Sequence, residues 1–236
     1  MNNEELRKRD ALCYAEMVSD LLGDRLLRSL NDINDDRLIT MANTALETCE
    51  ALRAALSDDP RATLRELIKK HSFMQGEFTL ASGRRSGFFF NLKPTMLHPR
   101  GAGLIAELVL HKLKEFPNIE AIGGLAIGAV PIVSVVCARS NDQGRPIAGF
   151  YVRQQIKDHG TERQIEGINV NDKLAVLVED VSTTGDSLLE AAGAVRKAGG
   201  EVCDAITVVD RLEGAQERLR TNHINLHPIY TRDEFI

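Results

Sequence analysis

Leu174-Ala175-Val176-Leu177-Val178-Glu179-Asp180-Val181-Ser182-Thr183-Thr184-Gly185-Asp186-Ser187 is the stretch that decides the fold. Its unbroken apolar opening predicts a strand over 174–178 buried on both faces, the habit of strands in parallel sheets. Two adjacent carboxylates end that strand, a hydroxyl-rich turn follows, and a helix is predicted over 185–198, closed by Gly199-Gly200. In an open α/β sheet, ligands collect outside the C-terminal ends of the strands. The first N–H groups of the following helix are unpaired and sit at the positive end of its dipole, so they attract a phosphate. Ser182, Thr183, Thr184 and Ser187 add hydroxyls there, and Gly185 lets a ligand approach the backbone. Neighbouring acids at a strand end cannot both point the same way. They suit a pair of ribose hydroxyls, water-mediated contact with a divalent metal, or a sugar turning cationic at its anomeric carbon. A phosphate turn beside an acidic pair asks for a sugar phosphate. The segment is not a P-loop, because GxxxxGK[ST] is absent, and no GxGxxG follows a strand.

Outward from this stretch, strands and helices alternate. An antiparallel pair is predicted over 77–80 and 87–92, around the polar turn Ser82-Gly83-Arg84-Arg85. Helix 98–115, strand 119–125, helix 128–139, strand 147–152, strand 202–209, helix 214–221 and strand 225–229 follow. Gly128 opens the second of those helices and Pro131 lies in its first turn. Strand–helix alternation with apolar strands implies an α/β fold whose parallel sheet is flanked by helices, with right-handed crossovers. The N-terminal part has a different texture. Ile39, Ala42, Leu46, Cys49, Leu52 and Leu56 recur at helical spacing, as do Leu12, Ala15, Val18 and Leu22, and Pro60 opens a short helix through about His71.

Composition narrows the classes. Lys+Arg is 29 and Asp+Glu is 34 in 236 residues, a formal net charge of −5, which disfavours a nucleic-acid clamp. No run approaches the length of a membrane span, and the first ten residues lack the apolar core of a signal peptide. Cys13, Cys49, Cys137 and Cys203 are far apart, with neither CxxC nor zinc spacing, as expected for reduced thiols in a cytoplasm.

Residues 178–187 resemble the phosphoribosyl-pyrophosphate (PRPP) motif of type I phosphoribosyltransferases. Three further stretches place the resemblance closest to the orotate phosphoribosyltransferase family: Phe78-Thr79-Leu80-Ala81-Ser82-Gly83-Arg84 with Ser86 and Phe88-Phe89-Phe90-Asn91; Tyr151-Val152-Arg153-Gln154-Gln155-Ile156-Lys157-Asp158-His159-Gly160; and Val209-Asp210-Arg211. The resemblance covers about 62–236. It implies a type I phosphoribosyltransferase-like sheet with a small hood, divided as a helical extension over 1–60 and a phosphoribosyltransferase domain over 61–236.

What the resemblance implies for function is transfer of phosphoribosyl from PRPP to orotate, giving orotidine 5′-monophosphate and pyrophosphate with Mg²⁺, in de novo pyrimidine biosynthesis. Thr183, Thr184, Gly185, Asp186 and Ser187 would cradle the 5-phosphate, and Glu179 and Asp180 would take the ribose hydroxyls. Phe89, Phe90, Thr183 and Arg211 would meet orotate, the guanidinium fork pairing with the carboxylate. Arg153, Lys157 and His159 sit on a segment with Gly160 and Gly167 as flexible points, which would close over pyrophosphate and, with Asp180, carry catalysis. In the family this loop, 153–167, completes the neighbouring subunit's site, so a homodimer is implied. No direct metal ligand is expected, Mg²⁺ being held mainly through PRPP and water. The chain departs from the family in three places: Gln154 stands where Lys is common after the loop arginine, and Ala81 and Gly128 stand where some members carry Lys. These departures keep two rivals open: transfer to another base, and a non-catalytic PRPP-binding regulator or partner subunit.

Overall fold

The computed structural model describes Thr44, Thr48 and residues 59–79, 85–154 and 164–236. The chain divides into two units, Met1–Leu67 and Ile68–Ile236. Helix α1 (Pro60–His71) opens at Pro60 as predicted, with the Asp59 carboxylate accepting from the Arg61 N–H at 2.9 Å.

In the second unit a hairpin forms first. β1 (Phe73–Thr79) and β2 (Arg85–Phe90) pair antiparallel, with Phe73 opposite Phe90 and Gln75 opposite Phe88. The predicted pair is present, and its first strand starts four residues earlier than 77, where Phe73 finds an aromatic partner. Two helices follow, α2 (Lys93–Met96) and α3 (Pro99–Leu113). The His98 ring caps α3, Pro99 occupies its first turn, and Ile105, Val109 and Leu113 bury its apolar face.

The main sheet runs in the order β5-β4-β3-β6-β7-β8. Its members are β3 (Ala121–Gly123), β4 (Ala148–Val152), β5 (Ile165–Gly167), β6 (Leu174–Ser182), β7 (Glu201–Asp210) and β8 (Asn225–Thr231). Helices α4 (Ala129–Asp142), α5 (Asp186–Lys197) and α6 (Ala215–Thr221) connect them, and a 3₁₀ turn, Arg232–Glu234, follows β8. Ala175 and Leu177 of β6 join Leu188, Ala191 and Val195 of α5 in one core cluster. Val176 and Val178 are buried on the opposite side of the strand. A strand covered on both faces is what the apolar run 174–178 demanded.

Three expectations are corrected. The sheet is parallel except at one edge, where β5 pairs antiparallel with β4, Phe150 opposite Gly167 and Val152 opposite Ile165. Gly167 is therefore a ladder residue rather than a flexible point. Its φ is +107°, and a Cβ there would lie 2.4 Å from the Gly149 carbonyl oxygen. Second, β6 does not stop at Val178. It continues beside β7, with Glu179 opposite Thr207 and Ser182 opposite Asp210, because the buried Ser182 hydroxyl donates to the Asp210 carboxylate at 3.3 Å. Third, strand 119–125 shrinks to three residues, since the backbone leaves the ladder at Gly123-Gly124 and rejoins only through a bridge from Leu125 to Val152.

Candidate active site

β3 is flanked by β4 on one side and β6 on the other, so consecutive crossovers diverge there. Such a switch point opens a crevice at the strand C-termini. A cavity of about 190 Å³ occupies it, lined by the loop 125–129, the end of β6 at 178–180 and the start of α5, together with Lys93 and Gln154.

The acidic doublet forms one wall. Glu179 accepts from the Ser187 hydroxyl, while its Oε2 is buried without a partner. Burial is the main reason its carboxyl is pushed up to about 8, and the nearby Asp180 and Asp186 charges add to the shift. Asp180 is raised as well, again through burial, and the Val181 backbone N–H and the Lys93 charge work against the rise. The two acids leave the strand in opposite directions, as the sequence required. Asp180 lies against the loop after β3: a Cβ on Gly128 would stand 2.8 Å from its Oδ1. The carboxylates are thus desolvated and under-partnered, ready for hydroxyl or cation partners that a ligand would bring.

The turn 183–187 follows. Gly185 caps α5 with φ +81°, and no side chain caps the helix, so its first N–H groups are left for another acceptor. The Thr183 carbonyl accepts from the Ala215 N–H at 3.2 Å, which ties the turn to the start of α6. The Thr184 hydroxyl donates to Asp186 at 2.6 Å, and Arg218 pairs with the same carboxylate. The Thr184 bond, followed by Arg218, holds Asp186 below the usual carboxylate range. Ser182, counted among the hydroxyl donors from sequence, is spent on Asp210 instead.

Arg211 enters from the end of β7. It is buried, its Nη2 donates to the Ser86 hydroxyl at 3.3 Å and pairs with Glu213 at 2.8 Å, and its guanidinium lies 4.9 Å from the centre of the Phe88 ring. Its Nε is buried with no partner. The aromatic run divides by register. Phe90 is buried, 4.9 Å from Phe73 and 5.2 Å from Phe235 between ring centres, and so forms the hood's core. Phe89 packs on Phe78 at 5.6 Å. Phe88 is the ring that meets Arg211.

Arg153 follows β4. Its backbone N–H donates to the Gln164 carbonyl at 2.9 Å, and its Nη2 pairs with Glu166 of β5 at 2.8 Å. Gln154 is exposed at the cavity's edge. Lys157, His159, Gly160, Ala81 and Arg84 lie outside the described residues. Sequence reasoning missed Lys93, the Phe88–Arg211 contact and the Glu166 and Glu213 partners. A lysine immediately after the aromatic strand, followed by Pro94, was the available signal for Lys93.

Among the described residues no group of three His, Cys, Asp or Glu side chains could hold a metal ion. The buried, partnerless Glu179 oxygen and the adjacent Asp180 still fit a Mg²⁺ that keeps its waters and takes most of its other ligands from a bound diphosphate. No helix among the described residues is long and apolar enough to cross a membrane.

No family model matches the chain. A curated relative does: the orotate phosphoribosyltransferase of Rhodopseudomonas palustris (strain BisB18) is 46% identical over 180 residues, spanning 75% of this chain and 96% of the relative. Among solved structures, Mycobacterium tuberculosis H37Rv orotate phosphoribosyltransferase in complex with Fe(III) dicitrate is 37% identical, with TM-score 0.66, over 75% of this chain and 99% of that one. The same enzyme in complex with PRPP is 34% identical, with TM-score 0.63, over 75% and 99%.

Proposed function

The chain belongs to the orotate phosphoribosyltransferase family, and on that premise we propose how its residues transfer phosphoribosyl from PRPP to orotate, a pentosyltransferase step of pyrimidine biosynthesis. The observation that carries the assignment of residues is the uncapped start of α5 beside two desolvated carboxylates at the sheet's switch point. Backbone N–H groups at 185–187 and the hydroxyls of Thr183, Thr184 and Ser187 take the 5-phosphate. Glu179 and Asp180 accept from the ribose hydroxyls. The diphosphate lies along the loop 125–129, where small residues admit it to the backbone. Glu179 and Asp180 would hold a Mg²⁺ through water, and the ion would neutralise charge on the diphosphate.

Pyrophosphate leaves with the electron pair of its bond to the ribose C1, and positive charge develops on the sugar. The Asp180 carboxylate faces that charge and stabilises it electrostatically. An orotate ring nitrogen gives its proton to the departing pyrophosphate and forms the new bond to C1 with inversion, so positioning rather than a covalent nucleophile carries the catalysis. Arg211, with its partnerless Nε, meets the orotate carboxylate, and Phe88 offers a ring face beside it. Thr183, Phe89 and Phe90 complete the base end, Phe90 by packing beneath it. Arg153, Lys157 and His159 close over departing pyrophosphate. That loop reaches a second copy's site in a homodimer. The chain is read as an N-terminal segment, 1–60, followed by a phosphoribosyltransferase domain, 61–236. A cytoplasmic setting suits Cys137 and Cys203, both free thiols.

Mixing the protein with orotate, PRPP and Mg²⁺ tests this directly. The orotate ultraviolet band disappears as pyrophosphate is released. Release with another base but not with orotate would overturn the substrate assignment.

A further inference from the structure

Two carboxylates line the site cavity, and among the described residues that line it Lys93 is the one cation. Its backbone is held firmly. Leu92 before it is fully buried, its own N–H donates to the Asn91 side-chain oxygen at 3.3 Å, and Thr95 and Met96 after it are buried, with the Thr95 and Ser72 hydroxyls 2.6 Å apart. Helix α2 thus presents a fixed Cα and leaves the lysine side chain exposed on the cavity wall. Residue 128 is a glycine and supplies no cation, and a Cβ there would stand 2.8 Å from Asp180 Oδ1, so a side chain at that position would require the carboxylate to shift. The neighbouring position at the cavity edge, Gln154, is uncharged.

We propose that Lys93 is the resident cation for the diphosphate: it binds the leaving pyrophosphate group of PRPP and sets the charge balance beside Asp180. This rests on the transferase assignment above and names a binding residue within it. An ammonium on a flexible stem can follow the diphosphate from its bound to its departed position, which a fixed guanidinium fork does less well. The α2 helix then explains why a site with Gln154 and Gly128 still handles a highly charged ligand. The charge is moved to the hood wall.

Calorimetric titration of Lys93→Met and Lys93→Arg with pyrophosphate–Mg²⁺, PRPP–Mg²⁺ and ribose 5-phosphate is the test, with thermal melting to check the fold. Losing one charge-assisted contact predicts roughly ten- to hundredfold weaker binding of pyrophosphate and PRPP in Lys93→Met. Ribose 5-phosphate binding should be unchanged, and Lys93→Arg should recover most of the loss. Equal pyrophosphate affinity in wild type and Lys93→Met overturns the proposal, as does an equal loss for ribose 5-phosphate. These are binding measurements. A protein that bound PRPP in this pattern but consumed no orotate would refute the activity while leaving Lys93 supported.

Discussion

Glu179→Gln removes a charge that the fold accommodates only at a cost while keeping the side chain's shape and its ability to accept from Ser187. The carboxyl moves from 4.5 to about 8 on folding, chiefly through burial. Between those values the folded protein holds a proton that the unfolded chain releases, so stability falls as pH rises through the window and levels off above about 8. At about 1.36 kcal/mol per pH unit, the linkage between pH 5 and pH 8 amounts to about 3–4 kcal/mol. Urea unfolding at fixed protein concentration, followed by circular dichroism from pH 5 to 8.5, measures it. Other acids titrate in both proteins, so the difference between wild type and variant isolates Glu179. The variant is predicted to match wild type near pH 5 and to exceed it by about 3–4 kcal/mol at pH 8. Parallel stability profiles would refute the claim that burial holds this carboxyl well above its ordinary value.

The same carboxyl predicts proton release on ligand binding. If ribose hydroxyls or a hydrated Mg²⁺ favour the charged form, PRPP–Mg²⁺ binding at pH 7 releases close to one proton in wild type and fewer in Glu179→Gln, read by calorimetry in buffers of different ionisation heat. Arg211→Ala should raise the KM for orotate roughly ten- to hundredfold with little change in that for PRPP, since it removes a charge-assisted contact from the base end alone; steady-state kinetics with each substrate varied will show it. Gly167→Ala should destabilise the protein by about 2 kcal/mol or more, because the new Cβ meets the Gly149 carbonyl in a backbone region that side chains rarely adopt. Chemical denaturation reports the loss.

Much of the architecture was legible because it is written locally. The apolar run 174–178, Gly185 before a helical period and the glycines 199–200 after it each state their own conformation. β5 was not legible. Ile165-Glu166-Gly167 is too short to show a period, and only its pairing with β4 and the Arg153–Glu166 contact make it a strand. The length of β6 was hidden for a related reason, since Glu179 to Ser182 look like a loop until β7 runs beside them. At the site, the doublet and the turn could be read from their order in the chain. The division of labour among Phe88, Phe89 and Phe90 could not, because it depends on Phe73, Phe235 and Arg211 arriving from elsewhere. Lys93 is a distant residue delivered by the hood to the doublet's cavity, a placement that no spacing rule foretells.

A crystal structure of the full chain grown with PRPP and Mg²⁺ addresses the central claim most directly. The account predicts the 5-phosphate in the turn 183–187 against the start of α5, with the ribose hydroxyls on Glu179 and Asp180. Density for PRPP elsewhere, with the turn occupied by solvent and the doublet turned away from the sugar, would contradict it.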